Sequence, residues 1–87
     1  MKMVITSEVE NVDNWLANRV ERHATILQFA ENIVEYANAE ANNVVALTFD
    51  IVDEKKMNEL MQSEETRDEM IRHGVKPETV ASYFEKP

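Results

Sequence analysis

Cysteine is absent from these 87 residues, which removes disulfides and thiolate metal sites together. Two histidines, His23 and His73, remain, with no carboxylate cluster at recognisable ligand spacing, so no metal and no cofactor are expected. One glycine and two prolines leave little for flexible linkers, and neither an internal repeat nor a low-complexity tract is present. No apolar run approaches the length of a membrane span. The opening residues Met1-Lys2-Met3-Val4-Ile5-Thr6-Ser7-Glu8 are too short and too soon acidic for a secretory signal, so a cytoplasmic protein is the expectation. Basic residues are also scarce: nine against seventeen acidic ones, a formal net charge of −8. That sign repels phosphate backbones and anionic lipid, which disfavours nucleic acid and membrane as partners. Its ordinary role is to keep an acidic protein dissolved.

What is present is strand patterning. In residues 43–53, Val45, Leu47, Phe49 and Ile51 recur at period two and make one face continuously apolar. Val44, Ala46, Thr48 and Asp50 form a second face that turns from apolar to acidic. Residues 1–10 read as an earlier strand with less regular alternation. From Asn11 onward the period becomes helical, through Val12, Trp15, Leu16, Val20, His23 or Ala24, and Leu27. Asn11 or Asp13 suits the cap, and Trp15, Leu16 and Val20 are expected to face the sheet. Crowded apolar residues from Ile26 to Ala30, then Ile33, Val34 and Tyr36, place a second strand over 29–37 and a turn over 38–43. A single helix through 12–41 is the competing assignment, and it implies an interaction module instead.

After the strand 44–52, Asp53 is a natural N-cap. Met57, Leu60 and Met61 form one apolar patch and Met70 with Ile71 another. The polar stretch between them, with Ser63 as a second cap, predicts a helix in two pieces. Arg72, His73 and Gly74 carry the marks of a helix C-terminus, with Gly74 at the left-handed position and Val75 making the accompanying apolar contact. Residues 78–85 read as a last strand, against a short helix beginning at Pro77.

This order of elements defines one domain, 1–87, of α+β class: a ferredoxin-like βαββαβ fold with four antiparallel strands and both helical layers on one face. Right-handed crossovers put the first and third strands in the middle. The helix-free face then needs cover, and a chain of this size lacks the residues to supply it. A homodimer with two sheets face to face is the expected solution.

The chain resembles short uncharacterised proteins of the dimeric α/β-barrel superfamily. The likeness rests on Trp15 followed by His23, then on the strand 44–52 running into Asp53-Glu54-Lys55-Lys56. It continues through Ser63-Glu64-Glu65, Met70 and Gly74-Val75 with Pro77 close behind. That superfamily includes stress-responsive barrel proteins and antibiotic-biosynthesis or haem-degrading monooxygenases. Two positions depart from its pattern: Gln28 stands near an expected glycine, and Asn42-Asn43 replace a proline before the third strand. The resemblance implies a homodimer with a central cavity and a small apolar or aromatic ligand. The Asn, Trp and His set of haem-degrading members does not transfer, because Trp15 and His23 share one predicted helix.

Candidate ligand-binding residues are Trp15, His23, Tyr36 and Asp50. His23 follows Trp15 by just over two helical turns, close enough to share a face, where a neutral imidazole acts as a base or orients a ligand. The plainer role is a half-buried helix residue bonded to backbone or water. Asp50, like Glu8, points from a central strand; facing a cavity it is a proton acceptor, and at a strand end it is a solvated carboxylate. Tyr36 and Tyr83 supply hydroxyls to a cavity or pack with a wet tip. Met57, Met61 and Met70 make an adaptable apolar surface or simple core. A helix-turn-helix reading of 74–84 fails because residues 78–83 contain no basic side chain. No phosphate loop, nucleophile elbow or metal-ligand spacing appears. The first functional expectation is a small-molecule-binding or accessory protein. The alternative is a cofactor-independent monooxygenase- or isomerase-like enzyme with His23 or Asp50 as base.

Overall fold

A computed structural model describes residues 1–38, 40 and 42–87. Its chain order is β1 (Lys2–Glu8), α1 (Val12–Ala17), α2 (Arg19–Ile26), β2 (Ala30–Ala37), β3 (Val44–Ile51), α3 (Glu54–Met61), α4 (Glu64–Arg72), a 3₁₀ turn (Pro77–Thr79) and β4 (Ala81–Phe84). The strands form one antiparallel sheet in the order β2-β3-β1-β4. This is the ferredoxin-like arrangement, with β1 and β3 central as the crossovers expected from the order of elements place them.

Register assigns each side chain to a layer. Met3 pairs with Phe49, Ile5 with Leu47 and Ser7 with Val45, and these residues face the helices. On the same face lie Glu35, opposite Leu47, and Phe84, opposite Met3. Between this layer and the helices sits the core of Met3, Val9, Trp15, Ile26, Phe29, Val45, Leu47, Phe49 and Met57. Phe29 and Phe49 meet edge to face, with ring centroids 5.6 Å apart, an arrangement that adds about 1 kcal/mol beyond area burial. The opposite face carries a row of Val34, Thr48, Val4 and Tyr83, and beside it Tyr36, Ala46, Thr6 and Ala81. Among the described residues no helix covers that side. Glu31, Asp50 and Lys2 bound it at one end, and Glu8 stands near the other.

The helix ends follow local chemistry. Asn11, Asp53 and Ser63 each accept a hydrogen bond from a backbone N–H three residues on, at 2.9, 3.0 and 3.1 Å. Gly74 adopts φ +80°, and the Val75 N–H donates to the Met70 carbonyl at 3.0 Å, closing α4 as expected. Gly74 and Glu8 then bond to the backbone of Glu10 and Lys76, tying the end of α4 to the end of β1. That tie delivers the chain to the free edge of β1, where β4 pairs.

Two expectations need correction. The first helical segment breaks at Asn18, whose side-chain amide donates to the Asn14 carbonyl at 2.8 Å and competes with the helical ladder. The break turns α2 so that Arg22 and Ile26, four residues apart, point inward. Val20 therefore faces solvent, 82% exposed, where the uninterrupted periodicity placed it against the sheet. At the C-terminus the strand and helix alternatives both occur in part: Pro77 opens a 3₁₀ turn, and pairing begins only at Ala81. In β2 the register shifts between Glu31 and Val34, and Asn32 takes φ 55° at this bulge, a conformation asparagine tolerates. Of the turn expected over 38–43, positions 39 and 41 lie outside the described residues.

Candidate functional site

The helices do not close fully onto the sheet. A cavity of about 500 Å³ lies between them, within the range that holds small organic ligands. Its apolar walls come from Met3, Ile5, Phe29, Leu47, Met57 and Met70. One side is polar, where α2 meets α4 through Arg22, Thr25, Glu69 and His73. These four make two rungs. Thr25 Oγ1 lies 2.9 and 2.8 Å from the two carboxyl oxygens of Glu69, and Arg22 Nη1 approaches His73 Nδ1 at 3.4 Å. The spacing follows from helix geometry, since Arg22 and Thr25 are three residues apart and Glu69 and His73 four.

Arg22 is the most constrained member. Its residue is 7% exposed and its guanidinium lies 4.0 Å from the centroid of Trp15. Nε hydrogen-bonds to Glu35, whose side chain on β2 is wholly enclosed beneath α2. Arg19 Nε donates to the other Glu35 oxygen at 2.9 Å. Burial alone pushes the Glu35 carboxyl upward, but hydrogen bonds from Arg22 and then Arg19 outweigh it and hold the group below 4.5. Nη2 of Arg22 is buried and has no hydrogen-bond partner among the described residues.

His73 is buried at the end of α4, with Nε2 3.1 Å from Glu21 Oε1. Because Arg22 Nη1 only donates, the neutral ring accepts at Nδ1 and carries its proton on Nε2, toward Glu21. Arg72 bonds to the same Glu21 oxygen and, with lesser help from His73, lowers that carboxyl. Glu21, Glu69 and His73 bring potential ligand atoms within 4.8 Å of one another. Their partners suit a hydrogen-bond network better than a cation, because Arg72 already occupies Glu21. Ligation at His73 Nε2 would also leave Nδ1 either facing a donor with a proton of its own or forced to imidazolate.

The four residues singled out from sequence do not come together. Trp15 lines the cavity and stacks on Arg22. His23 lies outside the lining; its Nε2 is 3.1 Å from Glu35 Oε1, within ion-pairing range but without hydrogen-bond alignment. Tyr36 stands half exposed on the helix-free face. Asp50 is on that same face, 3.2 Å from Lys2 Nζ and 3.0 Å from Asn32 Nδ2, and hydrogen bonds from Asn32 and then Lys2 lower its carboxyl. Sequence reasoning missed Arg22, Glu35, Glu69 and His73 as a site. The spacings of Arg22 with Thr25 and of Glu69 with His73 were available, but nothing local joins the two helices.

No protein-family model and no functionally curated protein matches the chain. Solved structures do match its fold. SnoaB, a cofactor-independent oxygenase from Streptomyces nogalater, superimposes with a TM-score of 0.70 at 8% identity, over 99% of this chain and 91% of that one. A conserved protein from Methanosarcina mazei gives 0.67 at 15% identity, over 98% and 91%. An antibiotic biosynthesis monooxygenase gives 0.59 at 9% identity, over 99% and 98%. The protein thus has the ferredoxin-like fold of antibiotic-biosynthesis-monooxygenase-like proteins, and at these identities the fold is what is shared. Among the described residues no helix is long and apolar enough to cross a membrane.

Proposed function

We propose that this protein binds a small, largely apolar molecule in the cavity between its helices and its sheet, and that it works as a homodimer closed over the helix-free face. The observation that carries the reading is the cavity itself, about 500 Å³ with mainly apolar walls and its polar groups gathered on one side. Polar groups placed together in an apolar pocket fix the orientation of a ligand. Trp15 belongs to the wall, and Tyr36 and Asp50 fall to the dimer face rather than the ligand. A neutral fluorophore such as N-phenyl-1-naphthylamine tests this directly. It should brighten on binding with a stoichiometry of one per chain. Met61→Trp at the cavity rim should weaken binding about tenfold or more by filling space, while leaving the circular-dichroism spectrum intact. Equal binding by both proteins would contradict the assignment.

A second reading, a cofactor-independent oxygenase, draws support from the likeness to SnoaB. Such a reaction needs a group to accept a substrate proton. Glu69, buried at the cavity wall with a threonine hydroxyl as its bonded partner, is better placed for that than His23 or Asp50. Oxygen uptake with a bound carbon acid, by the protein without additions, separates this reading from simple binding.

A further inference from the structure

We infer that the cavity takes an organic cation, whose apolar body lies in the chamber and whose ammonium group binds the carboxyl of Glu69. This rests on the reading of the cavity as a ligand site and specifies what that site selects.

Glu69 is a buried carboxyl without a counter-ion. The residue is 9% exposed, yet among the described residues no lysine, arginine or histidine forms an ion pair with it. Glu35, also enclosed, holds two arginines, while Arg72 and His73 turn from the helix of Glu69 to Glu21. The two oxygens of Glu69 share one proton, that of the Thr25 hydroxyl. A carboxylate can accept at about four sites, so most of its capacity is unfilled. A charge this deep is costly without a partner of opposite sign.

Its place in the fold makes it reachable. Glu69, with Thr25, Leu60 and Thr66, lines the chamber and also a second recess between α2 and α4. The rim of that recess includes Glu21, Glu65, Asp68 and Arg72, all exposed to solvent. Spanning from α4 to the Thr25 hydroxyl on α2, Glu69 thus belongs to the wall that chamber and recess share. An apolar chamber with a carboxyl at its polar side calls for a proton donor on an otherwise apolar molecule.

Charge decides which donor. In the recess Glu21, Glu65, Asp68 and Glu69 stand against Arg72 alone, and Arg72 is bonded to Glu21. On the inner side Arg19 and Arg22 are directed at Glu35. An anion is repelled by the recess and again by Glu69. A neutral hydroxyl gives Glu69 a hydrogen bond but leaves the charge uncancelled. An ammonium does both, through a charge-assisted bond. A metal ion would need Glu21 and His73 as further ligands, and these are held by Arg72 and Arg22.

The test is a matched series: 2-naphthylmethylamine, 2-naphthylmethanol, 2-ethylnaphthalene and 2-naphthoate, each displacing bound N-phenyl-1-naphthylamine at neutral pH. The amine should compete about tenfold more strongly than the alcohol or the hydrocarbon, and the carboxylate most weakly. In Glu69→Gln, which keeps the shape and an acceptor for Thr25, the amine advantage should shrink to about twofold or less. Taking that ratio within each protein cancels any change in affinity for the fluorophore. A second readout needs no variant and decides the matter if Glu69→Gln fails to fold. The side-chain carboxyl carbon of Glu69, assigned by through-bond correlation, should shift with the amine and hold still with the hydrocarbon. Equal competition by amine and alcohol overturns the cation while leaving the cavity as the binding site. A full amine advantage in Glu69→Gln, or an unmoved carboxyl carbon, overturns the role of Glu69. Strongest competition by the carboxylate overturns the assignment of charge. If the fluorophore itself fails to bind, the cavity reading falls and this inference with it.

Discussion

Glu35 concentrates the electrostatics of the molecule in one side chain. It sits on the helix-facing side of β2, enclosed, and binds both Arg19 and Arg22. Its folded-state carboxyl is held below the ordinary 4.5, so the stabilisation it provides is present above that value and is lost as pH falls through the lowered one. Urea midpoints measured from pH 7 to pH 3 should therefore fall most steeply below about 4.5. Glu35→Gln should cost about 3 kcal/mol at pH 7, because it leaves Arg22 buried without its counter-ion. It should also flatten the acid limb of the curve, leaving the slope due to Glu21 and Asp50, whose carboxyls are lowered as well. A variant with an unchanged midpoint would show that the pair contributes nothing net. None of this is visible in the sequence. Glu35 reads there as one more acidic residue among seventeen, because its partners lie 13 and 16 positions away. Trp15, by contrast, was legible at once, since a lone large aromatic at a helical core position has few other places to go.

Whole elements were legible wherever their ends are made locally. Asp53, Ser63 and Gly74 mark α3 and α4 because each cap is a bond spanning three to five residues. Ser63 does this twice, its Oγ accepting the Thr66 N–H and facing the Thr66 hydroxyl at 2.8 Å. Ser63→Ala should therefore lower stability by about 1 kcal/mol, read as a shift in the urea midpoint without a change in slope. A loss confined to noise would mean that α4 is held by packing alone. The orientation of α2 was not legible. Apolar periodicity carried straight through Asn18 puts Val20 inward, and only the side-chain bond from Asn18 to Asn14 reveals the break. That same break delivers Arg22 to the interior. A charged residue at an inward position runs against the hydrophobic pattern, and here it marks the candidate site.

At the scale of the molecule, the crossover connections put β1 and β3 in the middle, and alternation marks β3 most clearly as a strand. The alternation also divides the sheet into two faces, yet it does not say which face has unfilled space. The family resemblance implied a central cavity in a homodimer; within the single chain a chamber lies on the helix side of the sheet. The helix-free face, the surface proposed for a second copy, carries Val34, Val4 and Tyr83 in one row and Tyr36 beside them. Light scattering at micromolar concentration should give the mass of a dimer. Val4→Arg, at the middle of that row, should give a monomer with an unchanged circular-dichroism spectrum, because two like charges would meet across the two-fold axis. A wild-type chain that is monomeric would remove the dimer and leave the helix-side cavity untouched.

The claim on which most depends is the location of the ligand. Carbon and nitrogen chemical shifts recorded while N-phenyl-1-naphthylamine is added would locate it residue by residue. Binding in the helix-side cavity should move Met3, Phe29, Leu47 and Met57 and leave Val4, Thr48, Tyr36 and Tyr83 still. Movement confined to the second group, or none in either, would contradict it.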